Sequence, residues 1–325
     1  MNILVTGAMG FIGSNAVIEL LKGGNQVIGF DNLTNPSINP TDRIKAAVTP
    51  EQWSNFIFFE ADIRNLGSMI SIMANHPVQA IVHMAAIGSV PRSFEDPSQY
   101  FEVNCVGFSN VLCLASTMGI PKVIYASSSS VYGDLSSAII RKEGVEGNVM
   151  SPYALTKKMN EEFAQMWFAK TGVILTGLRF FNVYGPGQRF DSRYSAVIPK
   201  FLTATKDIKI NGDGNNRRDF TYVGDAAKAV LKAIAHKSTD VFNIGTGIGT
   251  SINELAMLCT DQPIKRLEAR QGEVQCSVAN TVKAWKELQW ASVVHLRDGL
   301  RVTKEYYDSL KIADNTTMSD LSGNR

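Results

Sequence analysis

The stretch Ile3-Leu4-Val5-Thr6-Gly7-Ala8-Met9-Gly10-Phe11-Ile12-Gly13-Ser14 decides the fold. Three apolar residues lead into glycines spaced GxxGxxG. A helical pattern, Ser14–Lys22, follows and stops at Gly23-Gly24. A tight strand-to-helix turn, close approach of backbone to a pyrophosphate, and free N–H groups at a positive helix end all favour glycine. Three glycines alone are often no more than turns. Here a strand precedes and a helix follows, and the next apolar run, Val27–Phe30, ends at Asp31. A carboxylate there accepts both hydroxyls of an adenosine ribose and repels a 2′-phosphate. The loop therefore reads as a site for NAD rather than NADP.

Outward from that loop, short β-branched runs alternate with helical patterns. The strand candidates are Ile3–Val5, Val27–Phe30, Phe56–Phe59, Ala80–His83, Val123–Ala126 and Val173–Leu178. They are nearly continuous apolar runs, the pattern of strands buried on both faces of a parallel sheet. A helix is expected over Phe101–Met118, stopping at Gly119. Asn35–Asn55, with three prolines, reads as an insertion, and Asp134–Met150 as a loop. Beyond residue 180 the pattern loosens into loops, short strands and helices over Val223–His236, Ser251–Cys259, Thr281–Leu288 and Val294–Leu310. Ser251 and Glu254 make a capping box. The fold class is α/β: a Rossmann-type doubly wound parallel sheet with a smaller α/β C-terminal substrate lobe. The expected division is an NAD-binding domain over 1–179, a substrate lobe over 180–312 that partly returns to the first domain, and a flexible tail over 313–325.

Composition narrows the function. The 325 residues are 45% hydrophobic and carry a formal charge of only +2, which gives no basic face for nucleic acid or a membrane surface. A phosphate ligand would need a few placed cations. Cys105, Cys113, Cys259 and Cys276 form no CxxC pair and read as buried reduced thiols. The four histidines lack HxH or HExxH spacing, so no metal is expected. No run of about eighteen apolar residues is present and the N-terminus reads as a strand, so the expectation is a cytoplasmic protein without a membrane span.

Ser151 is a good N-cap and Pro152 fits the first helical position, so Tyr153 and Lys157 share one face of a helix as i and i+4. A phenol near pKa 10 is a poor base at neutral pH; an adjacent ammonium and a positive nicotinamide would lower it. Lys157 could also hold ribose hydroxyls. The serine run Ser127–Ser130 follows a strand at the carboxyl edge of the sheet, where such folds bind ligands.

Together these pieces resemble the extended short-chain dehydrogenase/reductase family, and within it the nucleotide-sugar epimerases and dehydratases. The matching segments run from TGAMGFIGS through Asp31-Asn32-Leu33, Asp62-Ile63-Arg64, His83-Met84-Ala85-Ala86, Asn104, SSSSVYG, Tyr153xxxLys157, Arg179–Pro186 and Arg218-Asp219-Phe220 to Arg270–Asn280. The resemblance implies bound NAD, contacted by Gly7, Gly10, Phe11, Ile12, Gly13, Asp31, Asn32, Asp62, Ile63, Ala85, Ala86, Asn104, Tyr153 and Lys157. It implies Tyr153, Lys157 and Ser128 as catalytic residues. For a UDP-sugar it implies Ser89, Ser128, Ser129, Asn182, Val197, Arg218, Arg270, Glu273 and Ser277, with Arg218 and Arg270 on the diphosphate and Glu273 on the uridine ribose. Dehydratases carry Asp and Glu after the catalytic hydroxyl; this chain has Ser129 and Ser130, which favours 4-epimerisation. Ser277 matches the position beside the sugar, where a small residue leaves room for a 2-acetamido group. The expected substrate is accordingly UDP-N-acetylglucosamine or UDP-N-acetylgalactosamine, as in polysaccharide biosynthesis, with UDP-glucose or UDP-glucuronate as alternatives. A non-catalytic NAD-binding scaffold is the distant one. The Tyr153–Lys170 helix carries more apolar residues than one buried stripe accounts for. The resemblance pairs this helix with Phe101–Met118 in a homodimer.

Overall fold

The structure, a computed structural model, describes residues 1–135, 140–191, 195–269 and 274–322, with the backbone alone from Lys311 on. The chain opens with β1 (Asn2–Thr6), α1 (Phe11–Lys22) and β2 (Gln26–Asp31). The three-proline insertion holds two short helices, α2 (Pro40–Ala47) and α3 (Pro50–Trp53). Two of its three prolines, Pro40 and Pro50, start these helices, since N1 needs no N–H donor. Then come β3 (Phe56–Glu60), α4 (Leu66–Met73), β4 (Ala80–His83), α5 (Val90–Glu95) and α6 (Pro97–Phe101). A π-helical segment, Glu102–Val106, joins α6 to α7 (Gly107–Thr117), so the expected single helix carries a bulge. β5 (Lys122–Ser128), a 3-10 turn over Ser129–Tyr132, α8 (Pro152–Thr171) and β6 (Ile174–Phe180) follow.

The rest of the chain comprises α9 (Val197–Leu202), β7 (Ile208–Asn211), β8 (Arg217–Asp219), α10 (Val223–Ala235), β9 (Asp240–Ile244), β10 (Gly249–Ser251), α11 (Ile252–Cys259), β11 (Ile264–Leu267), β12 (Cys276–Ser277), α12 (Val282–Leu288) and α13 (Leu296–Ser322). The Ser251–Glu254 capping box forms in both directions. The segment from Ala313, expected as a flexible tail, is helical up to Ser322: no glycine or proline interrupts it between Leu300 and Ser322. Among the described residues no helix is long and apolar enough to cross a membrane.

Seven strands form one parallel sheet in the order β3-β2-β1-β4-β5-β6-β9. Alternate side chains feed two cores. Ile3, Val5, Val27, Val82 and Ile124 meet α1, α10 and α12, while Leu4, Ile28, Ile81, Val123 and Leu175 meet α4, α7 and α8. β1 lies between β2 and β4, so strand order reverses there and a crevice opens beyond the carboxyl ends of β1 and β4. Two expectations fail at the sheet edges. β3 is only half-buried, with Ile57 exposed, because nothing pairs with its outer side. β9, absent from the strand candidates, closes the other edge. Its apolar run is broken by Asn243, whose amide accepts from Tyr132 Oη (2.7 Å) and donates to Arg141 O (2.8 Å) and Asn280 O (3.1 Å).

A third core, with Tyr184, Phe201, Phe220, Leu255 and Tyr307, carries two small sheets, β10-β8-β12 and the parallel pair β11-β7. The Asp134–Met150 loop is irregular where described, and it is not loose. Arg141 is buried and donates to Leu135 O (2.9 Å) and Cys276 O (2.8 Å), fixing the loop to β12. The four cysteines are free thiols, half-buried rather than buried.

Candidate active site

The glycine loop is built on contacts that no side chain could share. Gly7 has φ +69°, and a Cβ there would sit 2.5 Å from Ala85 N; a Cβ on Gly13 would sit 1.9 Å from Gly7 O. Both clashes are with backbone, which cannot step aside. Gly10 caps α1 without a side-chain partner, leaving the first-turn N–H groups of α1 without a side-chain cap at the switch-point crevice. Such a cradle at a positive helix end suits the pyrophosphate of NAD. Asp31 accepts from Met9 N (3.0 Å) and Leu33 N (2.9 Å), so it braces the glycine loop as well as facing the crevice. Burial pushes its carboxyl up against those bonds. Asn32 donates to Asp62 (3.0 Å), and the Arg64 guanidinium holds the Asp62 carboxyl well below its usual range. Phe11 and Ile12 open α1, Ile63 is buried in contact range of Gly107, and Ala85 faces Gly7. Ala86 is exposed in the loop after β4.

Asn104 is buried between the post-β4 loop and α8. Its amide donates to Ile87 O (3.1 Å) and Thr156 Oγ1 (3.1 Å) and accepts from Ile87 N (2.9 Å). A side chain so engaged ties the post-β4 loop to α8. Its carbonyl, displaced by the π bulge, accepts from Asn160 Nδ2 (3.0 Å).

Tyr153, Lys157 and Ser128 come together at the carboxyl end of β5. Ser151 caps α8 by accepting from Ala154 N (3.1 Å), which sets the first turn that presents Tyr153. Ser128 is close enough to the Tyr153 hydroxyl to favour its ionised form. Ser128 Oγ accepts from Ser130 N (3.1 Å) and Ser130 Oγ (2.9 Å), so Ser130 orients it. Lys157 Nζ donates to Ala126 O (2.9 Å) and lies 6.0 Å from the Tyr153 ring centre. The expected lowering of the phenol pKa rests on Lys157 together with the positive nicotinamide. Within the protein itself, burial pushes the phenol up and Ser128 pulls it down. Burial also brings Lys157 down to about 8, with Cys105 and Glu161 opposing. Tyr100 packs edge-on to Tyr153 at 6.2 Å and donates to Ser89 O (2.8 Å). Ser89 Oγ caps α5, and a Cβ on neighbouring Gly88 would lie 3.9 Å from Tyr153 Oη.

A second cluster forms around β8. Ser277 on β12 is in register with Arg218 on β8. Asn182, at φ +26°, is exposed and donates to Asp219 O (3.1 Å). Val197 opens α9, and Ser129 sits in the 3-10 turn. Asp219 is the residue that motif reasoning named without a role. Fully buried, it accepts from Thr246 N (2.8 Å), Gly247 N (2.9 Å) and Ala279 N (3.1 Å), locking β8 to the loops beside it. Its place between Arg218 and Phe220 was the available signal. Arg270 and Glu273 lie outside the described residues.

Residues 3–245 match the model of the NAD dependent epimerase/dehydratase family. A UDP-glucuronate 4-epimerase of Thermodesulfobacterium geofontis is 33% identical over 306 residues, covering 92% of this chain and 94% of its own. Two solved structures are similar throughout. The UDP-glucose 4-epimerase of Thermotoga maritima has a TM-score of 0.87 at 32% identity over 95% of this chain and 99% of that one. A UDP-N-acetylglucosamine 4-epimerase of Methanobrevibacter ruminantium, in complex with UDP-N-acetylmuramic acid, has a TM-score of 0.86 at 30% identity over 95% and 98%. The chain belongs to the NAD dependent epimerase/dehydratase family. It is an epimerase with NAD as its cofactor.

His83, buried beneath the glycine loop, shares a 2.8 Å hydrogen bond with Thr6 Oγ1. Burial and the Lys157 cation bring its imidazole down to about 3. The unfolded chain therefore binds up to one more proton than the native one between pH 6.5 and 3, so this contribution to stability is present above pH 6.5 and is lost as the pH drops through that window. His83→Gln, which keeps a polar partner for Thr6, is expected to flatten that dependence by up to one proton. Urea unfolding at several pH values measures it; an unchanged slope would count against a neutral buried His83.

Proposed function

We propose that the protein interconverts UDP-sugars epimeric at C4, with Tyr153 as base and acid, and that its preferred substrates are UDP-N-acetylglucosamine and UDP-N-acetylgalactosamine. The observation that carries the activity is the Tyr153–Ser128 contact beside Lys157, at the crevice that the glycine loop opens. NAD supplies a reversible two-electron acceptor for C4. Tyr153 Oη takes the proton of the sugar 4-hydroxyl and later returns it. Ser128 hydrogen-bonds the same oxygen as it becomes a carbonyl. The Lys157 charge favours the phenolate. Arg218 and Asn182, with Arg270, hold the diphosphate, so the flat 4-keto ring between the two clusters presents either face. No net oxidation results. A neutral scaffold reading has no use for this triad.

The acetamido preference is supported by Ser277, a small residue whose strand runs beside that of Arg218. UDP-glucuronate is the second reading, favoured by the names of several relatives. A uronate needs a cation near C6. Arg92 donates to Gln99 (2.9 Å), and Arg189 forms a fork with Asp191, so each is already engaged. Arg193 lies outside the described residues.

Tyr153→Phe is expected to lower kcat by about 10²–10⁴-fold with bound NAD retained, as for loss of a general base. Turnover near that of the parent would show that the wrong base is named. Ser277→Tyr is expected to abolish epimerisation of UDP-N-acetylglucosamine and spare UDP-glucose. A panel of UDP-sugars with products separated by epimer reads this directly, and unchanged acetamido-sugar turnover would sink the assignment.

A homodimer is part of the same proposal. The buried face of α8 is largely polar (Thr156, Lys157, Asn160, Glu161), while Leu155, Met159, Met166 and Phe168 are exposed beside Val106. An apolar outer face on a catalytic helix fits a second copy of this chain. Light scattering at micromolar concentration should give twice the monomer mass, and Met159→Lys/Met166→Lys should give the monomer.

A further inference from the structure

Behind the Ser128–Tyr153 contact lies a buried charge cluster that the proposed chemistry does not use. Glu161 on α8 receives a two-pronged bond from Arg179 on β6, Nε to Oε1 at 2.8 Å and Nη2 to Oε2 at 2.7 Å. Arg179 Nη1 reaches Glu146 (2.6 Å), and its guanidinium lies 4.8 Å from the Tyr132 ring centre. Glu161 Oε1 also accepts from Ser127 Oγ (2.5 Å). Ser127 precedes Ser128, and Glu161 is one helical turn beyond Lys157 on the buried face of α8. The cluster forms one wall of a groove of about 720 Å3 between α8, β9 and α12, so water reaches the ion pair from the side away from the glycine loop.

We propose that Glu161 is a positioning residue for the epimerase site: clamped by Arg179, it anchors Ser127 and so the strand end that carries Ser128, and it supplies the negative charge that keeps Lys157 a cation. The proposal rests on the assignment of Tyr153, Lys157 and Ser128 above. The geometry gives each half a separate route. Ser127 is the mechanical link, since its hydroxyl ties the last residues of β5 to α8. Glu161 is the electrostatic link. The groups that face Lys157 are Glu161 and Tyr153 from α8, Cys105 from the π-helical segment and His83 from β4. His83 is neutral at working pH and burial raises the Cys105 thiol, which leaves Glu161 as the one anion among them. Around Glu161 itself stand Arg179 and Tyr125 from the sheet and Glu146 from the preceding loop.

Three variants of the full NAD-loaded protein separate the two links, each assayed with the best UDP-sugar of the panel over roughly pH 6 to 10. Ser127→Ala removes the mechanical link alone. It should lower kcat about tenfold with KM and the alkaline limb of the profile unchanged, since a slight misplacement costs turnover rather than binding. Glu161→Gln should also move the alkaline limb about one pH unit lower, because Lys157 then loses its proton earlier. That variant leaves Arg179 buried and unpaired and can fail to fold for that reason. Glu161→Gln/Arg179→Met removes both charges and should shift the limb in the same direction. A kcat equal to the parent's in Ser127→Ala overturns the anchoring role, and an unmoved limb in the double variant overturns the electrostatic one. Tyr153→Phe, run alongside, separates the levels. If it is inactive while the other variants match the parent, Glu161 alone is misassigned; if it turns over, the catalytic assignment has failed first.

Discussion

The arrangement depends on one steric constraint: the backbones of β1, α1 and the loop after β4 touch at Gly7. Gly13 packs against Gly7 O and Ala85 N against the Gly7 Cα, at distances that exclude any Cβ. That contact pulls the start of α1 down onto the sheet at the point where strand order reverses. Its consequences spread outward. The uncapped first turn of α1 faces the crevice, Asp31 is close enough to accept from Met9 N, and the post-β4 loop is brought beside α8. Asn104 and the π bulge then complete the junction. A buried amide left without partners costs about 1–3 kcal/mol, and here every one of its groups is used to hold two loops and a helix in register.

The second organising feature is the inverted polarity of α8. A surface helix normally buries its apolar stripe. This one turns Thr156, Lys157, Asn160 and Glu161 inward and leaves Leu155, Met159 and Met166 outside. The inversion is tolerable only because each inward group has a partner: Asn104, Ala126 O, Asn104 O and Arg179 respectively. Burying the Glu161–Arg179 pair gains little stability in itself, since desolvation offsets most of the attraction. It is better understood as a device for placing charge close to Lys157 without exposing the site to bulk water.

What could be read in the sequence follows from whether the signal is local. The glycine loop, the run Val27–Asp31, the Ser151-Pro152 cap and the Tyr–Lys spacing are each decided within a few residues, and each lies where expected. β9 was missed because its pattern is broken by Asn243, a residue whose partners are about 40 and 100 positions away in Asn280 and Arg141. Asn104 shows the same limit: its engagement with Ile87 and Thr156 is visible only after folding. Within the insertion of 35–55 the two short helices were not foreseen, although Pro40 and Pro50 each stand at a helix start. The effect of burial on the Tyr153 phenol is likewise not local: it depends on how the whole fold covers the ring.

A 4-epimerase has conflicting requirements on its two ligands. The cofactor must stay, so its half of the crevice is rigid: backbone contacts at Gly7 and Gly13, an acid bracing the loop, and a lysine held by a main-chain carbonyl. The sugar must turn, so it cannot be gripped around the ring. The fold answers by fixing the far end instead. Asp219 locks β8 through three backbone donors, and Arg141 ties β12 to the loop that leaves the catalytic serines. The strands of Arg218 and Ser277 are thereby tied to their neighbouring loops even though neither is part of the main sheet. A formal charge of +2 is compatible with a dianionic substrate for this reason. A few placed cations can stand in for a basic surface, and a buried acid such as Asp219, which braces the strand of Arg218, offsets part of their charge in the total.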